Sequence, residues 1–190
     1  LSADVICTFG KSSSALFEDN IRASTLVVGS LKNNLVQVSA PENLEYDIVF
    51  MSQHAPFDLT NREETIYLNQ SSVSLHEFYE IESAVANFLA QYCKDHSLRF
   101  AVSGKRGVED VFEHRFFAEA IGELPYTFLP RIDTYSSYAN GFNSRLAVVV
   151  DSTMGYELLS RGRKVAFFSA RIIGEPRAVS KDRDTCFGYP

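Results

Sequence analysis

Cysteine is scarce: Cys7, Cys93 and Cys186 are odd in number and far apart, with no paired-ligand spacing. That excludes a disulfide framework and argues against a zinc site, so they read as reduced, structural thiols of a cytosolic protein. No run of about 18 apolar residues occurs, and a transmembrane helix is therefore not expected. The opening LSADVICTFG lacks both a charged n-region and a small-residue cleavage site, so no signal peptide is read there. A basic excess is missing too. The net charge of −6 argues against general nucleic-acid binding. Methionine is absent from position 1 and the chain stops at Phe187-Gly188-Tyr189-Pro190, so a piece of something longer is expected. With 45% apolar and 22% charged residues, the composition is that of a globular protein, not a disordered one. A length of 190 residues allows a real core in one domain, or one and a half.

The charge is unevenly spread. Residues 161–184 hold seven Lys/Arg against three acids, 7 − 3 = +4, which leaves −6 − 4 = −10 for the remainder. Such a segment suits an anionic small ligand or an anionic membrane surface, and equally a solvated face with chance clustering.

The most informative stretch is Arg145 to Phe168, RLAVVVDSTMGYELLSRGRKVAFF. Leu146 to Val150 is a continuous apolar run rich in β-branched valine, as in a parallel strand covered on both faces. Asp151-Ser152-Thr153 then supplies a carboxylate and two hydroxyls where a helix must begin. These residues serve either as an N-cap or, with the helix N-terminus, as an anion site. Gly155 lets a ligand or neighbouring backbone come close. Glu157, one turn beyond Thr153, shares its helix face and comes within reach of a ribose diol. Gly162 fits a C-cap, and Lys164 to Phe168 reads as the next strand. The unit is βαβ, with its polar turn at the ligand-binding edge of an open sheet.

DSTMGYELLSRGRKV resembles the nucleotide-sugar-binding segment in the C-terminal domain of GT-B glycosyltransferases. The nearest in pattern are bacterial capsule and surface-polysaccharide enzymes: Kdo transferases, polysialyltransferases and teichoic-acid polymerases. The shared features stand here at Ser152, Thr153, Gly155, Glu157 and Gly162. Non-hydrolysing sugar-nucleotide epimerases share the fold and a similar turn. Phe9-Gly10 and Val28-Gly29-Ser30 resemble the last βαβ unit of the N-terminal domain in the same group, though one more unit of a single sheet reads equally well.

Along the chain, Asp4–Phe9 and Thr25–Val28 read as strands around a short helix, and Leu31–Glu45 as a polar linker or surface loop. Asp47–Ser52 starts the next sheet, and His54 follows in a first βα loop that would face the cleft. His54 is either an exposed loop residue or a group that bonds a phosphate or acts on an acceptor. Residues 61–74 are a polar loop holding the short apolar patch Ile66-Tyr67-Leu68, a candidate lid or acceptor-facing insertion. Leu75, Phe78, Tyr79, Ile81, Val85, Phe88, Leu89 and Tyr92 predict a core-facing helix over Leu75–Asp95. Leu98–Val102 is a strand that ends in Ser103-Gly104-Lys105-Arg106-Gly107. Two cations between glycines form a phosphate or carboxylate clamp, or a solvated turn. A helix over Val108–Ile121 places Val111, Phe112, Phe116, Phe117 and Ala120 inward. A strand to Leu129 then leads to Pro130-Arg131, where Arg131 contacts phosphate or forms a structural ion pair. Ser136–Phe142 is a short helix, and Ser169-Ala170-Arg171 lies at a last strand end.

The fold expected is α/β, a Rossmann-like parallel sheet with helices on both faces. The resemblance divides the chain into 1–30 (end of an acceptor domain), 31–45 (linker) and 46–190 (donor domain). It implies a glycosyltransferase of surface polysaccharide biosynthesis, moving sugar from a nucleotide donor to a glycan or lipid-linked acceptor. Asp151, Ser152, Thr153, Gly155, Glu157, Lys105, Arg106 and Arg131 would bind the donor nucleotide, and His54 is the candidate catalytic group. A metal is not implied, because basic groups can replace it. No cofactor is expected, and a CMP- or UDP-linked sugar enters as substrate. The expected setting is the cytoplasm, either free or peripherally associated with the inner face of the membrane. A UDP-sugar 2-epimerase and a non-catalytic nucleotide-binding module are the alternatives.

Overall fold

From Tyr46 onward, β-branched runs alternate with helix-period segments, and the chain folds as a succession of βα units. A computed structural model describes residues 2–37, 43–54, 65–68, 71–150 and 152–168, which fall into two compact units.

In the first unit, β1 (Ser2–Thr8) and β2 (Arg22–Val27) pair in parallel, with α1 (Lys11–Glu18) between them in sequence. Thr8 and Ser14 share a buried hydroxyl–hydroxyl bond of 2.7 Å, which fastens α1 to β1. A short helix, α2 (Leu31–Leu35), follows where the sequence reads as irregular. Its N-cap Ser30 accepts a bond from Asn33 N–H at 3.2 Å. Val5, Phe9, Leu26 and Val27 of this unit are exposed.

The second unit begins with β3 (Tyr46–Met51), then an antiparallel pair, β4 (Thr65–Leu68) and β5 (Ser71–Ser74), and the long helix α3 (Leu75–Asp95). It continues through β6 (Phe100–Ser103), α4 (Val111–Ile121), β7 (Thr127–Leu129), α5 (Ser136–Phe142), β8 (Ser144–Val149), α6 (Thr153–Ser160) and β9 (Val165–Phe167). Five strands form one sheet in the order β7-β6-β3-β8-β9, and all four neighbouring pairs are parallel. Relabelled by their succession in this unit, the strands run 3-2-1-4-5, which is the Rossmann order. The chain leaves β3 in one direction, through β6 to β7, and returns beyond it to β8 and β9. Right-handed crossovers in opposite directions put α3 and α4 on one face, α5 and α6 on the other. Helix contacts agree, since α3 packs on α4 and α5 on α6.

Side chains alternate accordingly. Ile48, Phe50, Phe100, Val102, Val148 and Val150 meet Val85, Ala86, Leu89, Ala90, Cys93, Phe117 and Ile121 in the main core. On the other face, Met51 and Val149 meet Gly141 and Gly155 closely enough that a Cβ at either glycine would lie about 3 Å or less from them. Burial pushes the Cys93 thiol up to about 11, an inert structural thiol, whereas Cys7 is exposed and Cys186 lies outside the described residues.

Two inward assignments from the helical pattern are corrected. Phe88 and Tyr92 are exposed, and so are Val111 and Phe112. On α3 the face against the sheet is centred on Glu82, Ala86, Ala90 and Cys93, and the small side chains of the last three allow close approach. Phe88 and Tyr92 sit beside that stripe and stack on one another at 6.3 Å, with His96 on Tyr92 at 4.3 Å. On α4 the N-cap is Asp110, so Val111 and Phe112 fall on its outer first turn. Arg115 there lies 5.4 Å from the Phe112 ring centroid.

Candidate functional site at the carboxyl edge of the sheet

Adjacent strands whose connections leave in opposite directions open a crevice beyond their carboxyl ends. Here those strands are β3 and β8, and the residues beyond them are Ser52-Gln53-His54 and Val150 to Thr153. The loop after β6, carrying Lys105 and Arg106, adjoins the β3 side, and Arg131 follows β7. β6 and β8 are two strand spacings apart, about 10 Å, within the span of a nucleotide.

On the β8 side, Ser152 caps α6, its hydroxyl accepting from Met154 N–H at 3.3 Å. Thr153 is exposed at the first helical position, at the electropositive end of the helix. Asp151 lies outside the described residues. Gly155 is buried: a Cβ there would come 2.7 Å from both the Phe167 ring and Val149 Cγ2. The close approach it permits is therefore helix to sheet. Glu157 is partly exposed and accepts a hydrogen bond from the hydroxyl of Tyr138 on α5. Burial, reinforced by Glu157, pushes the Tyr138 phenol well above its ordinary range, so it stays a donor.

The loops after β3 and β6 are fastened from below by two fully buried carboxylates, Glu82 and Glu113. Glu82 accepts from Gln53 N–H at 3.1 Å. Glu113 takes Ser52 Oγ at 2.5 Å and Lys105 N–H at 2.9 Å on Oε1, and Arg106 N–H at 2.8 Å on Oε2. Burial raises its pKa, and the three donors work against that rise. Ser52 Oγ accepts in turn from His54 N–H at 3.1 Å, and Arg131 N–H donates to Arg106 O at 2.7 Å. Lys105 and Arg131 are exposed and Arg106 is half-buried. Helix α5 bridges both sides, because Asn140 Nδ2 donates to Ser103 Oγ at 2.9 Å while Tyr138 holds Glu157.

His54 is 1% exposed and stacked on Phe116 at 4.8 Å, with Tyr79 at 5.4 Å on another side. Among the described residues neither ring nitrogen has a hydrogen-bond partner. Burial, assisted by the charges of Arg106 and Lys105 and opposed by Asp110, lowers its pKa to about 4. The imidazole is neutral at pH 7.

Lys105, Arg106, Arg131, His54, Ser152, Thr153 and Glu157 thus share one sheet edge. Sequence reasoning missed Ser52, Glu82, Glu113, Tyr138 and Asn140. One signal was available: Asp110-x-x-Glu113 is a capping-box pattern, which marks Glu113 as a residue whose carboxylate turns toward backbone N–H groups. The basic positions Arg171, Arg177, Lys181 and Arg183 lie outside the described residues. Among the described residues no helix is long and apolar enough to cross a membrane, and no three His, Cys, Asp or Glu side chains are grouped to hold a metal.

A family model described as "putative O-antigen biosynthesis protein" matches residues 1–190. No curated protein matches the chain.

Proposed function

The chain belongs to this family of O-antigen biosynthesis proteins, and we propose that its second unit is the nucleotide-sugar-binding part of a glycosyltransferase. In this reading a sugar passes from a nucleotide donor to a glycan or lipid-linked hydroxyl. Donor phosphate lies against Ser152 and Thr153 at the α6 N-terminus, with Gly155 behind it. Glu157, oriented by Tyr138, takes the ribose hydroxyls. Lys105, Arg106 and Arg131 supply positive charge where the leaving phosphate develops its negative charge. A lone capped helix would not support this assignment. The observation that carries it is convergence: the β3–β8 switch point lies between a helix N-terminus and three cations on the same sheet edge. We place the group that activates the acceptor outside the described residues, because His54 is closed to solvent.

Calorimetric titration with CMP, UDP and CDP tests the reading. Binding by one of them, weakened by Glu157→Ala, is expected. Heat-silent titrations with all three, in protein shown to be folded, would end it.

A further inference from the structure

Three backbone and side-chain donors, drawn from two strand ends, converge on one carboxylate that no solvent reaches. Oε1 of Glu113 receives Ser52 Oγ at 2.5 Å and Lys105 N–H at 2.9 Å, and Oε2 receives Arg106 N–H at 2.8 Å. An uncompensated carboxylate at this depth would cost several kcal/mol, so the donors hold the acid in place as firmly as it holds them. Gly104 makes the approach possible. A Cβ at that position would meet Phe128 Cζ at 2.9 Å and Glu113 Oε2 at 3.1 Å. The loop is also tied on its far side, where Gly104 N–H donates to Leu129 O at 2.8 Å and Arg131 N–H to Arg106 O at 2.7 Å.

Two consequences follow for an anion at this edge. The N–H groups of Lys105 and Arg106 are already committed to Glu113, so the anion is met by side chains and not by a backbone cradle. Lys105, Arg106 and Arg131 also stand on neighbouring strand ends and repel one another. When Glu113 is ionised, the carboxylate beneath them offsets that repulsion before any ligand arrives.

We infer that Glu113 is the positioning residue of the donor site: it splints the ends of β3 and β6 and presents Lys105 and Arg106 to the phosphate of the donor. The inference rests on the donor-site reading above. Ser52 is the second member of the splint, because its hydroxyl joins Glu113 to the backbone of His54.

The test is a thermodynamic cycle on the full chain, with whichever of CMP, UDP and CDP binds wild type most tightly as the probe. Glu113→Gln keeps the shape but places an NH2 against one of the two N–H donors. Its dissociation constant should rise about tenfold, as when an outer group that orients a binding residue is lost. In a Lys105→Ala/Arg106→Ala background the same change should move the constant less than about twofold, since the groups it positions are gone. An equal factor in both backgrounds would overturn the inference and reduce Glu113 to a stabilising residue, leaving the donor-site reading intact. If wild type binds none of the three, the donor-site reading fails and takes the inference with it. Should Glu113→Gln not fold, Ser52→Ala reads the same splint. A severalfold weaker constant in wild type and none of that loss in the double-alanine background support the inference, and an unchanged constant in wild type overturns it.

Discussion

The hydroxyl of Tyr138, on a fully buried ring in α5, donates to Oε2 of Glu157 on α6. The carboxylate is thereby fixed before any ligand arrives, and fixed by a phenol that burial keeps protonated. Tyr138→Phe retains the packing and removes only the donor. It should cost about 1–2 kcal/mol of stability. Under the proposed function it should also weaken nucleotide binding severalfold, less than the loss of about tenfold expected for Glu157→Ala. Urea unfolding and calorimetry measure the two effects separately. Full nucleotide affinity in Glu157→Ala would remove the ribose assignment.

His54 gives the fold an acid-sensitive component whose sign is fixed by its environment. Unfolded, the imidazole takes up a proton near 6.5, whereas folded it does so only at about 4. Its contribution is therefore complete above pH 6.5 and is lost as the pH falls toward 4. The whole drop is worth roughly 3 kcal/mol, and about 2 kcal/mol of it is gone by pH 5. Glu113 acts oppositely: its raised pKa means the folded state holds the extra proton, so its share falls as the pH rises past the ordinary carboxylate range. His54→Phe isolates the first effect. Between pH 7.5 and 5 the wild type should lose about 2 kcal/mol more than the variant in urea unfolding. Parallel losses in both proteins would show that the imidazole does not carry the acid sensitivity.

Periodicity made the main elements legible. The helix expected over Leu75–Asp95 and the short one over Ser136–Phe142 are observed with those bounds. The Leu146–Val150 run falls in β8 up to Val149, next to the central strand of the sheet. Periodicity fixes a stripe less sharply than an element. Phe88 and Tyr92 share helical spacing with Val85 and Leu89 yet lie one column away from the sheet, where the alanines decide the contact. The buried acids were harder to see, because Glu82 and Glu113 look like ordinary helix-surface carboxylates until the loops that need them are in place. The Tyr138–Glu157 bond joins residues 19 apart through α5–α6 packing, which no local pattern encodes. Nor does serine-rich Ser71–Ser74 alternate, so its pairing with Thr65–Leu68 was not foreseen.

Gly155 separates two effects of opposite sign. Within a helix, alanine is favoured over glycine by about 1 kcal/mol. The new methyl would nevertheless sit 2.7 Å from Val149 Cγ2 and from the Phe167 ring, in the layer between α6 and the sheet. Overpacking of that kind costs about 1–3 kcal/mol, so the net change should be destabilising. The expected result is a lower urea midpoint at an unchanged slope. A higher midpoint would mean that α6 can shift outward without loss, and that glycine is not there for close packing.

Among the described residues the main core cluster lies between Ile48 and Phe168, and this sets an expectation for trimming. Parallel strands are stable where both faces are covered, and two strands alone rarely suffice. β1 and β2 are such a pair, with Val5, Leu26 and Val27 about half exposed. Residues 1–37 on their own should therefore be unfolded by circular dichroism. Residues 38–175 should retain a single cooperative urea transition, because each strand of the five-stranded sheet and every residue of its core remains. A trimmed chain that binds ANS strongly and melts without a transition would show that the first unit supplies stability the second cannot provide for itself.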